Sequence, residues 1–142
     1  MNKKTPSGKM IPDKFLDLFS KPAYGYLATI MPDGSPQVTP VWVDYDGTHI
    51  LINSARGRQK EKNILRDPRV AVTIHDPDEP YRYLQIRGRV VDITEKGAKD
   101  QIDRLANKYM GWESFHHRPG EVRLIYKILP THISDKESKI LE

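Results

Sequence analysis

YGYLATIMPDGSPQVTPVWVDYDGTHILIN, residues 24–53, decides the fold. Tyr24–Met31 is rich in aromatic and branched residues and predicts a strand. Pro32-Asp33-Gly34-Ser35 is a turn signal. Pro36–Tyr45 predicts the next strand, Asp46-Gly47 a hairpin turn, and His49–Asn53 a third strand. Connections this short make neighbouring strands antiparallel. Pro36 and Pro40 each lack a ladder donor, so Pro36–Val43 cannot be a fully paired central strand. It is an edge or bulged strand. Its free main-chain groups could read the edge of a planar heterocycle, or its prolines could simply guard the edge against aggregation.

On the C-terminal side, Arg69–His75 predicts a fourth strand and Asp76–Pro80 a loop. Tyr81–Ile93 alternates, with Leu84, Ile86, Gly88 and Val90 on one face and Tyr83, Gln85, Arg87 and Arg89 on the other. Ala98, Ile102, Leu105, Ala106 and Tyr109 recur at helical spacing, which predicts an amphipathic helix over Glu95–Tyr109. Glu121–Ser134 predicts the last strand. On the N-terminal side, Pro12 can open a short helix over Ile11–Ser20 that places Phe15, Leu16 and Phe19 on one face. Met1–Met10 and Asp135–Glu142 are expected to be tails around one domain, residues 11–134. Six strands without a βαβ rhythm predict a mainly β protein, a six-stranded antiparallel barrel with two or three peripheral helices.

The chain has 142 residues, enough for one domain, and no cysteine. That excludes disulfides, thiolate-bound metal and a thiol nucleophile, and agrees with an expected cytoplasmic location. No run approaches the ~18 apolar residues of a membrane helix. No Gly-x-Ser-x-Gly, Gly-x-Gly-x-x-Gly or Walker-type sequence occurs, which argues against a conventional hydrolase, a Rossmann dehydrogenase and a P-loop enzyme. His116 and His117 are adjacent, so they point apart on a strand and do not make a metal pair; no metal is expected.

The net charge is +4, from 23 basic and 19 acidic residues. Six of the basic residues and only two of the acidic ones lie between Arg56 and Arg69, so this segment carries the entire excess. Arg58 and Lys60, with Gly57, supply what a phosphate needs: a bidentate fork, a point charge and a loop with free N–H groups. A helical turn over Gln59–Leu65 would add its N-terminus to the same anion. A solvated basic connection between strands shows the same composition. Tyr81, Tyr83, Tyr109 and Trp112 could stack on a ring or pack in a core or interface.

Tyr26-Leu27-Ala28-Thr29, Asp33–Trp42, Gly57-Arg58-Gln59-Lys60 with Asn63, Asp67-Pro68-Arg69-Val70 and Leu84–Val90 together resemble one family. It is the FMN-binding split-barrel family related to pyridoxamine 5′-phosphate oxidase, and within it the small deazaflavin (coenzyme F-420) oxidoreductases. The resemblance covers roughly residues 12–134. It implies a six-stranded split barrel that forms a homodimer, with the cofactor at the subunit interface. It places the cofactor phosphate on Arg58 and Lys60, with Ser54 and Gln59 nearby. It places the ring against Val38, Thr39, Pro40 and Val41, with Ile52 and Asn53 alongside. Tyr81 and Tyr83 would come from the second subunit, and Tyr83 could donate a proton. F-420 is the expected cofactor and FMN the alternative. True pyridoxamine phosphate oxidases are longer and end in an Arg- and His-containing substrate motif that Thr131-His132-Ile133-Ser134 does not match, so vitamin B6 oxidation is not implied.

The expected function is hydride transfer between a reduced flavin-like ring and a small conjugated substrate. No protein nucleophile is needed, and no catalytic residue is assigned. The alternatives are a flavin-binding protein without turnover and a small nucleic-acid-binding barrel. Against the latter, the basic residues sit in one loop without interleaved aromatics, so neither nucleic acid nor membrane is expected as a partner.

Overall fold

The computed structural model describes residues 8–136. The expected tails at residues 1–10 and 135–142 fall mostly outside them. Within the described part, Lys9 donates its N–H to the Pro130 carbonyl at 2.8 Å, and Asp135 and Lys136 still belong to the last strand.

A 3-10 helix, Asp13–Phe19, comes first. Strands β1 (Gly25–Ile30), β2 (Pro36–Val41), β3 (Val43–Tyr45) and β4 (Ile50–Ala55) follow, then helix α1 (Gln59–Arg66). Strands β5 (Arg69–His75) and β6 (Tyr83–Thr94), helix α2 (Ala98–Met110) and strand β7 (Arg123–Lys136) complete the described chain. All pairings are antiparallel, in the order β2-β1-β5-β6-β7-β4-β3. The fold is a curled, mainly β split barrel with three helices, as the sequence predicts.

The strand count is seven rather than six, and the reason lies in the opening stretch. The single run expected at Pro36–Tyr45 changes partners at Trp42. Its first half pairs with β1 and its second half with β4, and these are opposite ends of the sheet. Two Cα steps span at most ~7.6 Å, so the sheet must curl until its edges nearly meet. The prolines agree with this: Pro36 and Pro40 lie in β2, an edge strand.

The crossing is held from both sides. Gly25 pairs with Val41, and a Cβ on Gly25 would stand 2.6 Å from a methyl of Val43. Glycine is therefore required where β1 lies under the crossing. On the outside, α2 supplies two side chains to the Val43 peptide groups. The Tyr109 hydroxyl accepts from the Val43 N–H at 3.0 Å and donates to the Ala23 carbonyl at 2.7 Å. Lys108 Nζ donates to the Val43 carbonyl at 2.8 Å and to that of Phe19 at 2.9 Å. The Trp42 ring stacks on Tyr109, with centroids 5.3 Å apart and planes 5° from parallel. Burial pushes the Tyr109 hydroxyl up to about 12, so it stays protonated and keeps both bonds.

Leu27, Val41, Val43, Ile52, Val72, Ile74, Leu84, Ile86, Leu124, Tyr126 and Ile128 fill the barrel, with at least one residue from each strand. Phe15 and Leu18 of the 3-10 helix close one end. A charge cluster centred on the buried Asp76 ties that helix to the β5–β6 loop. Arg82 donates to Asp76 at 2.6 Å and to Asp17 at 2.8 Å, and Lys21 reaches Asp76 at 3.3 Å.

Replacing Tyr109 with Phe leaves the buried Val43 N–H without an acceptor. The expected loss is about 1–3 kcal/mol, read from urea unfolding. Asp76→Asn tests the charge cluster. Burial works against the Asp76 carboxylate, but the Asp78 N–H, Arg82 and Lys21 outweigh it and hold its pKa below the ordinary range. Arg82 does the same for Asp17. A depressed folded pKa gives stability that is complete above the unfolded value and is lost as pH falls through the folded one. The wild type should therefore exceed Asp76→Asn by about 2 kcal/mol at pH 7, and the difference should shrink once pH falls below about 4.

Candidate functional site

The crossing leaves a hollow on its outer side, a cavity of about 330 Å³. The end of β2 and the crossing form one wall, with Pro40, Val41 and Trp42. The end of β4 contributes Asn53 and Ser54, and the segment leading into α1 contributes Arg58 and Lys60. Tyr24, Ile102 of α2, Phe115 and Arg123 of β7 complete the lining. Six of the residues predicted from sequence thus converge: Pro40, Val41, Asn53, Ser54, Arg58 and Lys60.

The others lie elsewhere. Ile52 is fully buried and faces the barrel core. Val38 is 59% exposed and Thr39 half-buried on β2, both outside the hollow. The Gln59 side chain donates to Asn63 at 2.8 Å, bracing α1 on itself. Tyr81, 49% exposed, lies in the β5–β6 connection, and Tyr83 starts β6 opposite His75 and Lys136. Neither reaches this hollow within one chain. A separate hollow of about 360 Å³ lies across β1, β5, β6 and β7, with an apolar floor of Ala28, Ile30, Val70 and Ala71. It contains none of the predicted residues.

Arg123 was not expected. In an alternating strand with Val122, Leu124 and Tyr126 facing inward, it should face solvent. Instead Arg123, Leu124, Ile125 and Tyr126 are all buried, because α2 packs over the outer face of β7. Arg123 is 9% exposed. Its Nε donates to Asn53 Oδ1 at 2.8 Å, its guanidinium lies 4.9 Å from the Phe115 ring centroid, and Glu121 stands 3.4 Å away. Asn53 in turn donates to the Ala98 carbonyl at 2.8 Å and to Gln101 at 2.9 Å. One amide therefore joins β4, α2 and β7 and fixes the direction of Arg123.

Arg58, Lys60 and Arg123 put three cations on one cavity, and Glu121 is the only carboxylate in ion-pair range of any of them among the described residues. Burial, then the charges of Arg58 and Arg123, lower the pKa of Lys60. Burial is also the largest influence lowering that of Arg123. Mutually repelling, partly desolvated cations are a site that an anion stabilises. The expected helix is present as α1, and Arg58 is its N-cap. The expected free loop N–H groups are reduced by one, since Gly57 N–H is bound by Glu61 Oε1 at 2.7 Å. The anion cradle is thus made chiefly of side chains. His116 stacks on Trp112, and His117 bonds Asp103 at 2.8 Å.

Residues 11–136 match the model of the pyridoxamine 5′-phosphate oxidase family. A solved F420 reductase is 37% identical over 87% of this chain and 98% of its own, with a TM-score of 0.76. A conserved hypothetical protein of Mycobacterium tuberculosis is 24% identical over 99% of this chain and 92% of its own, with a TM-score of 0.71. General Stress Protein 26 of Bacillus anthracis is 19% identical over 87% and 92%, with a TM-score of 0.68. These last two bear on the fold alone.

Arg58→Ala should raise the pKa of Lys60 toward the ordinary lysine value. The rise should be partial, because burial is the larger cause and remains. Carbon-13 titration of the lysine side chains measures it.

Proposed function

The chain belongs to the pyridoxamine 5′-phosphate oxidase family, and from that footing we propose that it is an oxidoreductase using a deazaflavin cofactor, F-420, with FMN as the alternative. The cofactor, when bound, supplies the hydride chemistry. The observation that carries the reading is the cation triad on a cavity whose other wall is apolar and aromatic. Such a cavity suits a ligand with an anionic group at one end and a flat ring at the other.

In this reading Arg58 and Lys60 hold the phosphate, and Arg123 joins them with its direction set by Asn53. Pro40, Val41 and Trp42 flank the ring, and the crossing beneath them keeps that wall rigid. Ser54, buried at the end of β4, lines the cavity beside Asn53. Ile52 acts only from the core, by holding β4 in register. The preference for F-420 over FMN draws support from the 37%-identical F420 reductase. The proposed assembly is a homodimer in which Tyr81 and Tyr83 of the second copy close the open side. The proposed substrate is a small conjugated molecule, and the proposed location is cytoplasmic.

Arg58→Ala combined with Lys60→Ala should weaken cofactor binding about 100-fold with little change in melting temperature, since neither side chain is in the core. Fluorescence titration of wild type and variant with F-420 and with FMN measures it. Unchanged affinity removes the phosphate site. FMN binding without F-420 binding reverses the cofactor preference.

A further inference from the structure

Beyond Arg123 the surface opens into a second cavity, of about 300 Å³, lined by Glu95, Lys99, His117, Arg118, Glu121 and Arg123. Arg123 belongs to both cavities, so they meet at its guanidinium. This second cavity is polar and contains no residue predicted from sequence.

Its charges do not cancel locally. Glu95 is 3.7 Å from Arg56, and Glu121 is 3.4 Å from Arg123. Among the described residues, Lys99 and Arg118 have no carboxylate within ion-pair distance. Two cations thus face the cavity outside any such ion pair, although the charge of Lys99 also acts on Asp103, one turn further along α2. Their backbones are fixed. Lys99 sits in the first turn of α2. Arg118-Pro119-Gly120-Glu121 forms a turn in which the Glu121 N–H donates to the Arg118 carbonyl at 3.1 Å. Gly120 supplies the positive φ, 78°, that this turn needs after proline.

His117 is placed as firmly. Asp103 Oδ1 accepts from the Phe115 N–H at 2.9 Å and from His117 Nε2 at 2.8 Å. That pair of bonds turns the other ring nitrogen, Nδ1, away from Asp103, where a ligand group can reach it. The same Asp103 holds the Phe115 backbone, and the Phe115 ring lies against Arg123. The two cavities therefore share one wall and one clasp.

We propose that this second cavity binds a small carboxylate-bearing molecule, with Lys99 and Arg118 as its anion ligands and His117 as a polar contact. A carboxylate here would lie beside Arg123, at the end of the first cavity where the proposed function puts the phosphate.

The test uses the purified full chain and succinate as the probe, followed by the His117 ring resonances. A saturable shift is expected. It should weaken at least about tenfold in Lys99→Ala/Arg118→Ala, or in Arg118→Gln alone, and persist in Arg58→Ala/Lys60→Ala. F-420 or FMN affinity should be unchanged in Lys99→Ala/Arg118→Ala. Absence of a saturable shift overturns the proposal. So does a shift lost only in Arg58→Ala/Lys60→Ala, which would put the anion in the first cavity. Weakened cofactor binding in Lys99→Ala/Arg118→Ala also overturns it, because those cations would then belong to the cofactor. If the wild type binds no cofactor, the proposed cofactor site fails, while the succinate arms still give their own answer.

Discussion

One residue, Trp42, separates the two outermost strands of the sheet. β2 ends at Val41 on one edge and β3 begins at Val43 on the other, so the chain itself pins the edges together. A flat seven-stranded sheet is impossible under that constraint. The curl forces side chains from seven strands onto one interior, which explains why a chain of this size can keep so many aliphatic residues fully buried. The constraint also has a local demand. Where the run leaves one partner and joins another, its peptide groups cannot all be met by neighbouring strands. Lys108 and Tyr109 of α2 meet those of Val43, and this is what places α2 over the seam. The cavity exists because α2, β7 and the start of α1 are gathered around that seam.

Most of the architecture was legible because periodicity and turn chemistry report local geometry. Leu84, Ile86 and Val90 alternate as a strand must, and Ala98, Ile102, Leu105 and Tyr109 repeat as a helix must. The partner switch at Trp42 was not legible. Pro36–Tyr45 reads as one strand because it is one extended run, and pairing is a property of what lies beside it. The prolines did mark an edge, but not that two different edges were joined. The site divides in the same way. Arg58 and Lys60 announced themselves through a local charge excess, and Pro40 and Val41 through the proline interruption. Arg123 lies 63 positions further on than Lys60, in a strand whose alternation assigns it to solvent. Only the packing of α2 over β7 reveals that both faces are covered. Ile52 shows the converse error of register. It neighbours Asn53 in sequence, but Ile52 is fully buried in the barrel core, while Asn53 lines the cavity.

The choice of asparagine at position 53 has an electrostatic consequence. A buried arginine needs hydrogen-bond acceptors, and a carboxylate would be the stronger one. A carboxylate at position 53 would also neutralise Arg123 and cancel one third of the positive charge facing the cavity. The Asn53 amide oxygen fixes the Arg123 side chain without consuming its charge, and its two N–H groups are spent on Ala98 and Gln101. Glu121, which also lines the second cavity, pairs with Arg123 at 3.4 Å and offsets part of its charge. Arg123 therefore keeps acting on Lys60, whose pKa is lowered first by burial and then by the charges of Arg58 and Arg123. That repulsion is relieved when an anion sits among the three cations. Orientation by a neutral amide and a net positive charge facing the cavity are two halves of one arrangement, and both depend on α2 being held where the barrel closes.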